Sequence, residues 1–134
     1  YDGGREKAPA AICRKVALAK DGDTITVWGD GEQTRSFCLI DDCVKGVYKL
    51  MHSDFKDPLN IGSDRLISIN AMVDIVAKIA GKKIEKEHEL GKPQGVRGRN
   101  SNNTLCKKAL NWEPKISLEE GLEKTYNWIR GQIK

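Results

Sequence analysis

The stretch from Ser68 to Gly81 constrains this chain more than any other. Ile69, Met72, Val73, Ile75, Val76 and Ile79 recur three and four apart, which puts them on one face of an α-helix. Ser68 caps its start through a side-chain oxygen, and Gly81 supplies the left-handed residue that stops it. A helix with one apolar stripe has to lay it against a second layer. At 134 residues the chain can bury about two-thirds of its unfolded surface, so it can supply that layer itself.

A helix over 9–20, opened by Pro9, carries Ala10, Ile12, Cys13, Val16 and Ala17 at helical spacing until Asp21-Gly22-Asp23 breaks the pattern. Residues 24–28 are β-branched and alternating, Gly29-Asp30-Gly31 is a turn, and 35–40 can be extended again, so two short strands flank a glycine turn. Asp41 or Asp42 can cap a helix whose apolar residues are Val44, Val47, Tyr48 and Met51. Residues 59–62 read as a short strand and 82–89 as an exposed one. Gly91 to Asn103 reads as a loop long enough to carry function. Asn102 or Asn103 caps a short helix through Leu110, with Trp112 in the core, and Ser117-Leu118-Glu119-Glu120 is a capping box that opens the last helix. The chain is α/β, rich in helix with several short strands. It lacks the regular alternation of a doubly wound sheet, and no G-x-G-x-x-G follows a strand.

The net charge of +4, with both signs interspersed, suits an anionic ligand but falls short of a nucleic-acid footprint. No apolar run reaches the roughly 18 residues a membrane span needs. Cys13, Cys38, Cys43 and Cys106 show no C-x-x-C spacing and have only His52 and His88 as companions, so reduced thiols in a cytoplasmic protein are expected and a zinc site is not. The opening Tyr1-Asp2-Gly3-Gly4 carries no signal peptide pattern and reads as an internal cut in a longer chain.

Four polar stretches can carry chemistry. Gly3 to Pro9 places Arg5, Glu6 and Lys7 before a helix start, a favourable place for an anion, though a solvated chain end explains it as well. Lys15 lies two turns into that helix, where lone lysines are usually surface. After the glycine turn come Gln33, Thr34, Arg35 and Ser36, an amide, a hydroxyl and a guanidinium in succession; Arg35 can fork onto a phosphate, and an ordinary polar hairpin is the alternative. Gly95 to Asn103 holds Arg97 and Arg99 between glycines, without an aromatic residue for stacking on bases. Together they describe a pocket with Arg and Lys clamps, suited to a diphosphate.

The segments Gly3-Gly4-Arg5-Glu6-Lys7-Ala8-Pro9-Ala10-Ala11, Trp28-Gly29-Asp30-Gly31-x-Gln33-Thr34-Arg35-Ser36-Phe37, Asn60-Ile61-Gly62-Ser63 and Gly95-Val96-Arg97-Gly98-Arg99-Asn100-Ser101 carry a resemblance. Spread over nearly the whole chain, they resemble the C-terminal part of the GDP-mannose 3,5-epimerases, extended short-chain dehydrogenases/reductases. The second segment is shared widely among nucleotide-sugar epimerases and dehydratases, while the first and last are more particular. The resemblance implies that residues 1–134 are one substrate-binding domain and that the NAD-binding Rossmann half is missing.

In that family NAD oxidises carbon 4 of the sugar, an acid/base pair then exchanges the protons on carbons 3 and 5, and the ketone is reduced again. The resemblance implies that Lys7 is one member of the pair, and that Glu6, Ala8, Lys15, Gln33, Thr34, Arg35 and Arg99 line a GDP-sugar, with Arg35 and Arg99 at the diphosphate. It also implies that the piece alone is inactive, that the full-length enzyme is a homodimer, and that the piece exposes an apolar face the missing half covers. A nucleotide-sugar 4-epimerase or 4,6-dehydratase, and a non-catalytic module binding nucleotide diphosphates or RNA, are the competing expectations.

Overall fold

The structure, a computed structural model, describes residues 6–133. The Gly3-Gly4-Arg5 part of the first segment therefore lies outside the described residues. Three helices make the main layer: α1 (Ala8–Leu18), α3 (Ile69–Ala80) and α5 (Leu118–Gln132). Their apolar faces meet in one core, where Cys13, Val16, Met72, Val73, Val76 and Ile129 are almost wholly excluded from solvent. Burial pushes the Cys13 thiol up to about 12, because a thiolate there would lose its hydration. The local start and stop signals are where the sequence puts them. Ser68 accepts from the Ala71 amide, Ser117 accepts from that of Glu120, and Gly81 is left-handed.

A two-stranded parallel sheet, β1 (Thr24–Trp28) beside β4 (Glu85–Glu89), closes the core, with Ile25 and Val27 turned inward. The register runs from Thr24 against Glu85 to Trp28 against Glu89. Lys82, entering β4, donates from Nζ to the carbonyls of Val16, Ala17 and Ala19 at 2.9, 3.2 and 2.6 Å, which satisfies the open end of α1.

The glycine turn does not make a hairpin. β1 pairs with β4, while β2 (Thr34–Arg35) joins a second sheet between β3 (Ile67–Ser68, antiparallel) and β5 (Gly98–Arg99, parallel). The turn backbone is already committed elsewhere: Gly29 donates to the Glu89 carbonyl at 2.9 Å, and the Gly31 carbonyl accepts from the Asn70 amide at 3.0 Å. Residues 59–62, expected as a strand, have no ladder partner among the described residues.

Helix α2 (Ile40–Met51) also departs from expectation. Its N-cap is Leu39 without a side-chain cap, and Asp42 reaches across to a distant loop, where its Oδ2 accepts from the amides of Lys115 and Ile116 at 2.7 Å each. Val44, Val47, Tyr48 and Met51 face solvent, and the buried side is Asp42 and Gly46. A Cβ at Gly46 would stand 2.7 Å from Ile61 and 3.0 Å from Trp112, so the helix approaches its neighbours through its missing side chain. Trp112 is buried as expected, in a smaller cluster with Cys106 and Leu110, the latter at the end of α4 (Thr104–Leu110). At the start of α4, Asn102 accepts from the Thr104 amide at 3.0 Å.

Candidate functional site

Two cavities meet at Arg35. The first, of about 330 Å³, lies between the start of α1, strand β1 and the segment after β4; Glu6, Ala8, Lys15, Gln33 and Arg35 line it. Its walls are otherwise mainly apolar, from Ala11, Ile12, Val27, Ile69, Pro93 and the Trp28 ring. The second, of about 390 Å³, is polar, with Ser36, Asn60, Ser63, Asn100 and Ser101 around Arg35 and Arg99.

The second sheet sets the relation between the two arginines. Arg35 on β2 and Arg99 on β5 are register partners in a parallel pair, so their backbones run about 4.8 Å apart and their side chains leave the same face. Like charges placed directly opposite in a sheet repel. Among the described residues no carboxylate pairs with either, whereas Arg14, Arg65 and Arg97 pair with Glu6, Glu119 and Asp30. Arg35 spends part of its donor fork on the carbonyls of Thr34 at 2.7 Å and Gln94 at 3.3 Å, which fixes its direction.

The remaining expected residues are each held for a local reason. Lys15 donates from Nζ to the Thr26 carbonyl at 2.6 Å, tying α1 to β1 at the cavity wall. Gln33 is 6% exposed and donates through Nε2 to the Trp28 carbonyl at 2.9 Å; its Oε1 is buried with no hydrogen-bond partner among the described residues. That orphaned acceptor costs about 1–3 kcal/mol unless a donor reaches it. Thr34 pairs with Gly98, whose missing side chain leaves room for the Thr34 hydroxyl, but Thr34 is not part of either cavity wall. Glu6 and Lys7 are neighbours on backbone that is extended at Lys7, so their side chains diverge. Glu6 lines the first cavity, 3.9 Å from Arg14, while Lys7 is exposed at the N-cap of α1.

Pro93 and Gln94 belong to the wall and carry no sequence signal beyond their place in a long glycine-bearing loop. The Gly29–Gly31 turn does not form a dinucleotide-binding loop. Gly29 and Gly31 have positive φ of 74° and 73° but lead into β2 rather than a helix N-terminus. The space over Gly31 is filled by Asn70, whose Oδ1 would stand 2.0 Å from an added Cβ.

Comparison with known proteins identifies relatives in sequence and fold. Over its whole length the chain is 52% identical to GDP-mannose 3,5-epimerase of Arabidopsis thaliana, of which it spans 35%. It superimposes on UDP-glucose 4-epimerase of Thermotoga maritima, solved with UDP-glucose, with a TM-score of 0.87 and 27% identity, covering 98% of this chain and 41% of that one. UDP-glucuronic acid 4-epimerase of Bacillus cereus, solved with UDP-glucuronic acid and NAD, gives a TM-score of 0.84 at 27% identity, over 96% of this chain and 41% of that one. The mixed, helix-rich arrangement is that of the extended short-chain dehydrogenase/reductase epimerases. The family model described as GDP-mannose 4,6 dehydratase matches residues 3–125, which include both arginines and every expected site residue, and the chain belongs to that family.

Proposed function

We propose that the chain is the substrate-holding part of a nucleotide-sugar epimerase whose substrate is GDP-mannose and whose reaction exchanges the protons on carbons 3 and 5 of the sugar. The observation that carries this reading is the in-register pair of Arg35 and Arg99, two cations without a carboxylate partner among the described residues, at the junction of an apolar and a polar cavity. A diphosphate supplies the missing charge and accepts from both forks. The flat nucleoside then occupies the cavity beside Trp28. Lys7 serves as acid/base; because it is exposed in this chain, the rest of the enzyme has to cover it.

The chain spans about a third of the length of the curated relatives it matches. In this reading NAD is held by the remainder, the outward apolar stripe of α2 is where that remainder packs, and the piece alone does not turn over. The full-length enzyme is cytoplasmic and a homodimer; no helix among the described residues is long and apolar enough to cross a membrane.

Titrating the chain with GDP-mannose and with pyrophosphate tests the assignment. Both are expected to bind, and Arg35→Ala or Arg99→Ala to weaken each about tenfold or more, the scale of one lost charge-assisted fork at 1.5–3 kcal/mol. Undiminished binding by both variants would sink it. The likeness to UDP-sugar 4-epimerases favours one alternative, a 4-epimerase. Solvent deuterium entering carbons 3 and 5 in the longer enzyme, and lost on Lys7→Ala, separates the two.

A further inference from the structure

The segment between β4 and β5 is held over the first cavity at four points. The Gly29 amide and the Lys92 amide both donate to the Glu89 carbonyl, at 2.9 and 3.1 Å, which turns the chain as it leaves β4. The Lys92 ammonium stands 5.7 Å from the centre of the Trp28 ring, within cation–π range. Arg35 donates to the Gln94 carbonyl at 3.3 Å. Arg97 forks onto both carboxylate oxygens of Asp30 at 2.9 and 2.7 Å, and its carbonyl accepts from the Thr34 amide at 2.8 Å.

These anchors all fall on backbone or on neighbours of Gln94. The Gln94 side chain itself is half-buried, lines the cavity, and has no hydrogen-bond partner among the described residues. It lies over Gly29, where an added Cβ would meet its Cγ at 2.2 Å, so the absence of a side chain at Gly29 is what admits it. The result is a primary amide, a donor and an acceptor side by side, packed over Gly29 at the wall of a mainly apolar cavity next to an aromatic ring.

We propose that Gln94 pairs with the polar edge of the nucleobase of a bound nucleoside diphosphate. The inference rests on the nucleotide-sugar reading above. A primary amide matches a ring edge that offers an acceptor next to a donor, and burying that edge unpaired against an apolar side chain carries a penalty. Arg35 links the two tasks, since the same guanidinium that faces the diphosphate holds the Gln94 backbone. Arg35 anchors the charge, and Gln94 holds the base.

The test compares GDP, UDP and pyrophosphate on the wild-type chain, Gln94→Leu and Gln94→Glu. Leucine keeps the packing over Gly29 and removes both polar atoms; glutamate keeps the size and removes the donor. Gln94→Leu is expected to bind GDP about tenfold more weakly and to leave pyrophosphate affinity unchanged. Gln94→Glu is expected to raise the ratio of GDP to UDP affinity, because a carboxylate accepts from guanine's two adjacent N–H groups and uracil offers one. Equal losses for GDP and pyrophosphate would mean that Gln94 acts only through Arg35, and unchanged affinities for both nucleotides would mean that it reads nothing; either overturns the proposal. Failure of the wild-type chain to bind any of the three ligands would instead remove the nucleotide-sugar reading itself.

Discussion

Arg65 and Glu119 illustrate how far a single pair can act. The guanidinium forks onto both carboxylate oxygens at 2.8 and 2.6 Å, joining the segment before β3 to the first turn of α5. Its hydrogen bonds hold the Glu119 carboxyl down at about 2, well below the usual 4.5. A carboxyl depressed on folding contributes stability above its unfolded value and loses it as pH falls toward the folded one, here between about 4.5 and 2. Both partners are about half-exposed, so the contribution is of the order of 0.5–1 kcal/mol after solvent screening. Thermal melts of wild type and Glu119→Gln from pH 6 to 2 should converge as the pH drops. Melting curves that stay separated by the same interval down to pH 2 would exclude this account.

At the scale of elements, what could be read from sequence was what is local. Caps at Ser68 and Ser117 and the stop at Gly81 are decided by residues a few positions apart, and the helices they bound are present. The partner of β1 was not legible, because a parallel pair joins residues 24–28 to 85–89 across two helices and two strands of the other sheet. The orientation of α2 was not legible for another reason: periodicity shows that a helix is two-faced, not which face is covered. Its inward anchor is Asp42, and removing that carboxylate leaves the Lys115 and Ile116 amides without their acceptor. Asp42→Ala is expected to cost about 2–4 kcal/mol in denaturant unfolding, with Asp42→Asn intermediate because one amide oxygen still accepts. A loss under about 0.5 kcal/mol for the alanine variant would show that the loop is held elsewhere. Much of the candidate site was legible, since Glu6, Gln33, Arg35 and Arg99 sit in motifs, whereas Gln94 owes its place to long-range contacts that no local pattern encodes.

For the molecule as a whole, two features govern behaviour in solution. The outward stripe of Val44, Val47, Tyr48 and Met51 is an exposed apolar surface along one helix. An environment-sensitive dye such as ANS should brighten on the native chain and lose most of that signal in Val44→Lys/Met51→Lys; equal fluorescence from both proteins would place the dye elsewhere. The other feature is the pair of facing arginines. On the proposed diphosphate reading, two cations in register make the folded state a better host for polyvalent anions than the unfolded chain, so such an ion is expected to act as a thermodynamic partner of folding. At a hundred times its dissociation constant an anion adds about 2.7 kcal/mol, several degrees in melting temperature for a chain of this size. A preparation dialysed into phosphate and one dialysed into chloride are then not the same sample, and a melting temperature for this protein has meaning only with its buffer anion attached.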